Sequence, residues 1–142
     1  MVLGVGVDVM EVARVRRALK RHGERLENRV FTAGERSDCA GRADRELALA
    51  ARFAAKEACL KALGTGWAGG VTFRQVEVCR DAAGKPSLRL HDRAAEEAAR
   101  LGVTATHLSL SHQPTVAVAV VVLEGEAASD PELKKPGDRP IR

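Results

Sequence analysis

An almost unbroken run of small and apolar residues, at about residues 44–63, is the strongest periodic feature of the chain. At about 100° per residue it gives one side of alanines and one side of larger residues, which predicts a helix buried nearly all round. Glu57 and Lys61 nevertheless fall on the larger side. Only Arg52 and Lys56 look like a solvated edge. We therefore expect Glu57 and Lys61 to lie inside the protein or in a cleft.

The helix pattern alone leaves a second interpretation open, in which Glu57 and Lys61 are an exposed i, i+4 ion pair worth a few tenths of a kcal/mol. The first strand, predicted as a buried strand over residues 2–9, favours the buried site. In its segment GVGVDV the valines point to one face and two glycines with Asp8 to the other. Glycines on a strand face indicate that another element packs very close. If that element is the alanine-rich helix, Asp8 approaches Glu57, and two such carboxylates favour a magnesium ion between them.

The next helix is predicted over about residues 11–22 or slightly further. If Gly23 ends it, Arg25 falls outside the helix. Its inner stripe is Val12, Val15 and Leu19. A line of arginines without interspersed acids follows the outer side, which favours a docking surface for an acidic partner over an ordinary solvated face. This arginine line consists of Arg14, Arg17, Arg21 and Arg25.

The remaining pattern alternates between strands and helices and predicts a single α+β domain. A less regular stretch, residues 29–44, suggests a loop with a short helical piece. The further elements are strands at 71–79 and 87–91, a helix at 93–101 capped by Asp92, and a hairpin of strands 107–112 and 115–124. From residue 125 onward the chain is polar and Pro-rich, which is typical of a disordered tail. We therefore expect one domain over residues 1–124 and a tail over 125–142.

Composition excludes several classes of protein. No segment has the ~20 apolar residues of a membrane span, and the N-terminus lacks the pattern of a signal peptide, so we expect a cytoplasmic location. Three widely spaced cysteines indicate reduced thiols and no zinc site. The net charge of +4 indicates an acidic partner. The absence of Tyr disfavours a surface that stacks nucleic-acid bases.

A polar strand end near residue 110 suggests a place for phosphate. Ser109 and Ser111 are predicted on one strand face, and His112 follows at the turn. A histidine at a strand end can also be purely structural. No serine-nucleophile motif accompanies these residues, so a hydrolase triad is not indicated.

Two segments, GVGVDVMEVARV at residues 4–15 and RFAAKEACLKALGTG at 52–66, resemble the signature pair of the holo-(acyl-carrier-protein) synthases, and HLSLSH at 107–112 resembles that family's third segment. The resemblance implies the 4′-phosphopantetheinyl transferase fold, with a long buried helix packed on an antiparallel sheet. The implied reaction moves the phosphopantetheine arm of coenzyme A to a serine of an apo acyl carrier protein. Adenosine 3′,5′-bisphosphate would be released. The carrier could serve fatty acid, polyketide or peptide synthesis.

The resemblance also implies roles for individual residues. Asp8 and Glu57 would hold Mg²⁺ on the pyrophosphate of coenzyme A, and Lys61 would pair with a phosphate. The nucleotide would lie near the strand end Ser109, Ser111 and His112, with its adenine near Gly84, Lys85 and Pro86. Members of the family are typically homotrimers with the site between subunits, and their carriers present an acidic helix to which the arginine line is suited.

The chemistry of phosphoryl transfer agrees with roles for Asp8, Glu57 and Lys61, since this reaction mainly requires positioning and neutralisation of charge. Either Glu57 or a water could accept the serine proton. Gln113 stands where some relatives have an acid, and glutamine cannot serve as a base. Two other classes stay open: an adaptor that binds an acidic protein or nucleic acid through the arginine line, and a magnesium-dependent phosphohydrolase acting on a nucleotide.

Overall fold

The computed structural model describes residues 1–65 and 68–127 of the chain. Within these residues it contains five strands and five α-helices, besides two single 3-10 turns at Ala68–Gly70 and Phe73–Gln75. The strands are β1 (Val2–Glu11), β2 (Val76–Arg80), β3 (Pro86–Leu90), β4 (Val103–Gln113) and β5 (Val116–Gly125). The helices are α1 (Val12–His22), α2 (Glu24–Val30), α3 (Ala33–Cys39), α4 (Arg45–Leu63) and α5 (Asp92–Leu101).

Three antiparallel strands form the main sheet in the order β1-β5-β4, and β2 pairs with β3 in a separate hairpin. In the main sheet Asp8 stands opposite Ala119, and Ala119 stands opposite Leu110. The predicted hairpin is confirmed, with its turn between Gln113 and Val116. With α4 packed across this sheet, the predicted α+β architecture of a buried helix on an antiparallel sheet is confirmed.

The backbone contact between β1 and α4 is unusually close. A Cβ atom at Gly6 would lie 1.8 Å from the carbonyl oxygen of Ala58, and one at Gly4 would lie 2.1 Å from that of Ala62. Only glycine can stand at such positions, because any side chain would overlap the helix backbone. The inference drawn from the two glycines is therefore confirmed. The helix ends at Gly64, whose φ of 76° and N–H bonds to the last turn are those of a glycine cap.

The prediction that Arg52 and Lys56 form a solvated edge is wrong, since both side chains are fully buried. Arg52 donates to the carbonyl of Ala48 at 3.1 Å. Lys56 pairs with the equally buried Glu35, with 2.6 Å between Nζ and Oε1. The helix pattern could not show this, because the covering segments, α3 and β2, lie some twenty residues away along the chain.

Lys56 and Glu35 are completely hydrogen-bonded. The Lys56 ammonium also donates to the carbonyls of Phe73 at 3.1 Å and Val76 at 2.5 Å, which uses all three of its hydrogens. The second oxygen of Glu35 accepts the N–H of Val78 at 3.0 Å. Burial lowers the pKa of Lys56, and the neighbouring Glu35 carboxylate opposes that effect. This pair fixes α4 against α3 and β2.

Strand β1 is not buried on both faces, contrary to the prediction. Its inner face packs on α4, but Val5, Val7 and Val9 are 52–60% exposed. They stand opposite three valines of β5, of which Val120 is also exposed and the other two are half-buried. We call this apolar surface the valine face. Its members are Val5, Val7, Val9, Val118, Val120 and Val122.

Smaller differences concern the ends of elements. Helix α1 ends before Gly23, the shorter of the two predicted alternatives, and residues 24–30 form a separate helix α2 that the pattern did not reveal. The chain from Phe73 to Gln75 is a 3-10 turn before β2 begins, and not a strand. Asp92 is the first residue of α5, at a φ of 47°, and its side chain makes no cap.

Three further predictions concern membrane spans, the cysteines and the C-terminal tail. In the described part of the chain no helix is long and apolar enough to cross a membrane. The three cysteines are free thiols, with Cys39 and Cys59 buried. The predicted tail lies outside the described residues from position 128 onward, so its disorder stays a prediction.

Replacing Lys56 by methionine should lower the free energy of unfolding by about 3–5 kcal/mol, because the buried Glu35 carboxylate loses its partner. The measurement is chemical denaturation at fixed protein concentration, followed by circular dichroism. The matched control is Lys20→Met on the exposed side of α1, which should change stability by about 0.5 kcal/mol or less. Adding Glu35→Gln to Lys56→Met should recover part of the loss. Equal stability of Lys56→Met and Lys20→Met would show that the buried pair does not fix the helix.

Candidate functional site

Asp8 stands on the inner face of β1, at the edge of the contact with α4. Its Oδ1 atom accepts a hydrogen bond from Lys61 Nζ at 3.1 Å, and Lys61 Nζ also donates to the carbonyl of Val7 at 3.0 Å. The glycines bring this about, because they let the strand lie against the last turns of α4. The structure thus places Asp8 beside the helix that carries Glu57 and Lys61, as the sequence predicted.

The second oxygen of Asp8 has no partner. Among the described residues, Asp8 Oδ2 is buried and accepts no hydrogen bond. A desolvated carboxylate oxygen without a donor is costly, and one that is kept at a protein edge indicates a missing cationic or hydrogen-bonding ligand. Within residues 1–65 and 68–127 this atom is the strongest sign of a binding site.

Glu57 lies near enough to Asp8 for their charges to interact. Its side chain is half-buried, and the desolvation that results, followed by repulsion from Asp8, raises the pKa of Glu57. Lys61 and Arg14 oppose this rise. We call Asp8 and Glu57 the acid pair. Of the two places expected for Lys61, inside the protein or in a cleft, the interior is wrong, since its side chain is 56% exposed at the rim.

The acid pair fits a magnesium ion and does not fit a closed metal site. In residues 1–65 and 68–127 no group of three or more His, Cys, Asp or Glu side chains could enclose a metal. Magnesium commonly takes one or two carboxylates and completes its octahedron with waters and substrate phosphates. An unpaired Asp8 oxygen beside a second carboxylate provides that kind of open site.

The predicted arginine line is exposed, but it spans two helices. Arg14, Arg17 and Arg21 lie on α1, whereas Arg25 lies on α2 beyond the break at Gly23. The charge of Arg14 is close enough to Glu57 to oppose the rise in the pKa of Glu57. The basic surface therefore begins at the acid pair and runs away from it along α1.

The predicted nucleotide residues are not brought to the acid pair within one chain. Ser109 and Ser111 stand opposite Val120 and Val118, so they lie beside the valine face, on the same side of the sheet. His112 faces the other way, into an open groove of about 750 Å³. Gly84, Lys85 and Pro86 lie at the turn between β2 and β3. In the described part of the chain no hydrogen bond or ion pair joins any of the six to Asp8, Glu57 or Lys61.

The groove beside His112 contains a residue that the sequence did not single out. Arg16 lines the groove together with Arg45, and it pairs with Glu46 at 2.5 Å. Arg45 pairs with Glu27 of α2. The spacing of α1 predicted only the outer line of arginines, and the approach of Arg16 to the start of α4 depends on helix packing that the pattern does not contain.

Comparison with known proteins agrees with this geometry. The model of the 4′-phosphopantetheinyl transferase superfamily matches residues 4–121. The holo-[acyl-carrier-protein] synthase of Koribacter versatilis is 45% identical over 124 residues, which cover 87% of this chain and 99% of that protein.

Solved structures resemble the fold as well. The holo-[acyl-carrier-protein] synthase of Neisseria meningitidis superposes with a TM-score of 0.81 at 34% identity, over 87% of this chain and 99% of that one. The enzyme of Bacillus anthracis, in complex with CoA (3′,5′-ADP), gives a TM-score of 0.73 at 36% identity, over 89% and 99%.

An antiparallel sheet crossed by a glycine-docked helix, with an acid pair at their shared edge, defines a small α+β transferase. The chain belongs to the 4′-phosphopantetheinyl transferase superfamily and, within it, to the family of the holo-[acyl-carrier-protein] synthases.

Proposed function

We propose that this enzyme transfers the 4′-phosphopantetheine group of coenzyme A to a serine hydroxyl of an apo acyl carrier protein, with Mg²⁺. The observation that carries the proposal is the unpaired, buried Asp8 Oδ2 beside Glu57. The names of the similar proteins and the CoA-bound relatives support the choice of substrates. A transferase domain over residues 1–124 and a cytoplasmic location of the enzyme are parts of the same proposal.

In the proposed reaction the serine oxygen attacks the phosphorus that bears pantetheine. A new P–O bond forms, the P–O bond to the second phosphate breaks, and adenosine 3′,5′-bisphosphate leaves with the electron pair. Asp8 and Glu57 would hold the metal, which supplies neutralisation of the pyrophosphate charge. Lys61, at the rim, would place its ammonium against a phosphate oxygen as charge develops there.

The serine must also lose its proton. Either Glu57 or a water held near the acid pair would accept it. In the chain itself, desolvation and repulsion from Asp8 raise the pKa of Glu57. Gln113 lies at the β4–β5 turn, three register positions beyond the level of Asp8, and its amide cannot serve as a base. The acid pair and Lys61 would thus provide charge neutralisation at one edge.

The carrier would dock on the arginine line. Its exposed guanidinium groups start at Arg14, close to Glu57, so an acidic carrier helix lying on α1 would deliver its serine to the acid pair. Electrostatic complementarity of this kind raises association rates and selects partners. No comparable unpaired basic row runs along α5, where Arg93 and Arg100 pair with acids of their own helix.

The valine face supports a homotrimer with its sites between subunits. Six valines of the sheet form a contiguous apolar surface, and such surfaces usually mark an interface. Ser109 and Ser111 border that surface, so in an assembly they would approach a neighbouring chain. Nucleotide-binding residues that lie apart from the acid pair in one chain could then meet the acid pair of the next.

Two other functions make different predictions. An adaptor would bind its partner without regard to magnesium and coenzyme A, and it leaves the acid pair unexplained. A phosphohydrolase would release adenosine 3′,5′-bisphosphate steadily from coenzyme A without any carrier, with water in the place of serine.

Incubation with coenzyme A, Mg²⁺ and an apo acyl carrier protein should raise the intact mass of the carrier by one phosphopantetheine group, and EDTA should prevent the gain. Asp8→Ala should lower the rate of phosphopantetheine transfer about a hundredfold or more while the protein stays folded, since the charge of the pyrophosphate is then poorly neutralised. The measurement is mass spectrometry of the carrier. Unmodified carriers of several types, or near wild-type transfer by Asp8→Ala, would contradict the proposal.

Reversing Arg14 and Arg21 to glutamate should raise the KM for the carrier at least tenfold and leave the KM for coenzyme A within about twofold, because these charges meet the carrier. Steady-state kinetics with each substrate varied in turn would test this. The control reverses Arg100 on α5, which should affect neither value. Equal increases for both substrates would show that the arginine line is not the docking surface.

Val5→Glu should convert the proposed trimer to smaller species, because a charge on the valine face is desolvated at the interface. Size-exclusion chromatography with light scattering gives the mass, and transfer activity should fall together with it. Ala99→Glu, exposed on α5, is the control and should change neither. A wild-type protein that is monomeric and active would exclude a shared site.

A further inference from the structure

The two lysines of α4 are held in opposite ways. Lys56 is fully buried and each hydrogen of its ammonium has an acceptor, so it cannot leave its place. Lys61 lies five residues further along α4, about one and a half turns. Its side chain is 56% exposed and donates only to Asp8 Oδ1 and the carbonyl of Val7 among the described residues. A half-exposed lysine side chain can turn to a new partner without disturbing the core.

Lys61 is hydrogen-bonded to one carboxylate oxygen of Asp8, the proposed metal ligand. Its ammonium lies 3.1 Å from Asp8 Oδ1, while Asp8 Oδ2 has no partner. A metal bound at Asp8 would lie within a few ångströms of this ammonium, and two cations at that distance repel each other. The free protein thus carries a cation of its own at the carboxylate that the metal requires.

We propose that Lys61, held on Asp8 Oδ1 beside the unpaired Oδ2, is the resident counter-ion of the metal-free site, and that it competes with the metal until coenzyme A draws it away. This inference rests on the proposed function. The pyrophosphate of coenzyme A offers the ammonium another anion, and the half-exposed side chain can reach outward to it. Lys61 is in this sense a positioning residue for the metal, besides any contact it makes with a phosphate.

A thermodynamic coupling follows from the competition. With no nucleotide present, Lys61 weakens metal binding, because the metal must displace the ammonium or tolerate its charge. With coenzyme A present, the ammonium has moved and that penalty disappears. Metal and coenzyme A therefore strengthen each other's binding by the same factor, as linkage requires.

Other charges near the acid pair do not provide this device. Arg14 acts on Glu57 through its charge, but among the described residues it makes no ion pair with Asp8. Lys56 points to the opposite side of α4, toward Glu35. Lys61 is thus the cation on α4 that contacts Asp8 and is free to move.

The test is the affinity for Mn²⁺, which takes the same carboxylate, phosphate and water ligands as Mg²⁺. Electron paramagnetic resonance of unbound Mn²⁺ gives the dissociation constant for the metal-free full chain, with and without coenzyme A and without any carrier. Lys61→Met should tighten Mn²⁺ binding in the absence of coenzyme A by about fivefold or more, and should reduce the tightening caused by coenzyme A by a similar factor. Lys61→Arg keeps the charge and should stay near wild type. Lys20→Met, the control for a lost surface charge, should change neither constant.

The outcomes separate the inference from the function on which it rests. An unchanged or weaker Mn²⁺ affinity in Lys61→Met would overturn the competition while leaving the metal site intact. A wild-type chain that binds no Mn²⁺ even with coenzyme A, or an Asp8→Asn variant that binds it as tightly as wild type, would overturn the metal site itself. Thermal melting of each variant confirms that the fold is retained.

Discussion

The contact between the backbones of β1 and α4 is the constraint on which the site depends. The helix can lie directly on the strand because Gly4 and Gly6 have no side chains and because alanines face them. An ordinary pair of elements would be separated by two layers of side chains. Here the separation is removed, so the carboxylate at the end of the glycine stretch comes level with the last turns of the helix. One steric condition thereby sets the position of Asp8 relative to Glu57 and Lys61.

The rotation of α4 about its own axis must also be fixed, since a small turn of the helix would carry Glu57 away from Asp8. The buried pair of Lys56 and Glu35 meets that need from the opposite side, where it joins the helix to α3 and β2. A fully hydrogen-bonded ion pair adds little net stability over an apolar equivalent, but breaking it is costly, so it favours one arrangement over its neighbours. The rigid lysine and the mobile one on the same helix thus serve different ends: one fixes the helix, and the other stays available to a ligand.

Sequence reasoning succeeded where the physical signal was local. Two glycines beside Asp8 in alternate strand positions predicted a close approach, and this signal depends on few neighbouring residues. Sequence reasoning failed where the partner is remote. Lys56 looked solvated because nothing near it in the chain reveals Glu35, and β1 looked buried because a row of valines predicts burial without saying what covers it. The separate helix α2 was missed because the residues after Gly23 were interpreted only as an extension of α1.

Partners that are remote in the sequence also explain why the residues predicted to bind the nucleotide lie apart in one chain. Motif resemblance assigns His112, the serines of β4 and the β2–β3 turn to one ligand, yet within a chain they face different directions, and the serines lie beside the valine face. In a single chain one face of the apolar sheet is uncovered, and the predicted ligand residues lie apart. Association of subunits could change both. Association through the valine face would bury the valines and bring polar residues of one chain toward the edge of another. On this view the homotrimer is not an addition to a finished site, because the hydrophobic effect that assembles the subunits would also complete the place where coenzyme A binds.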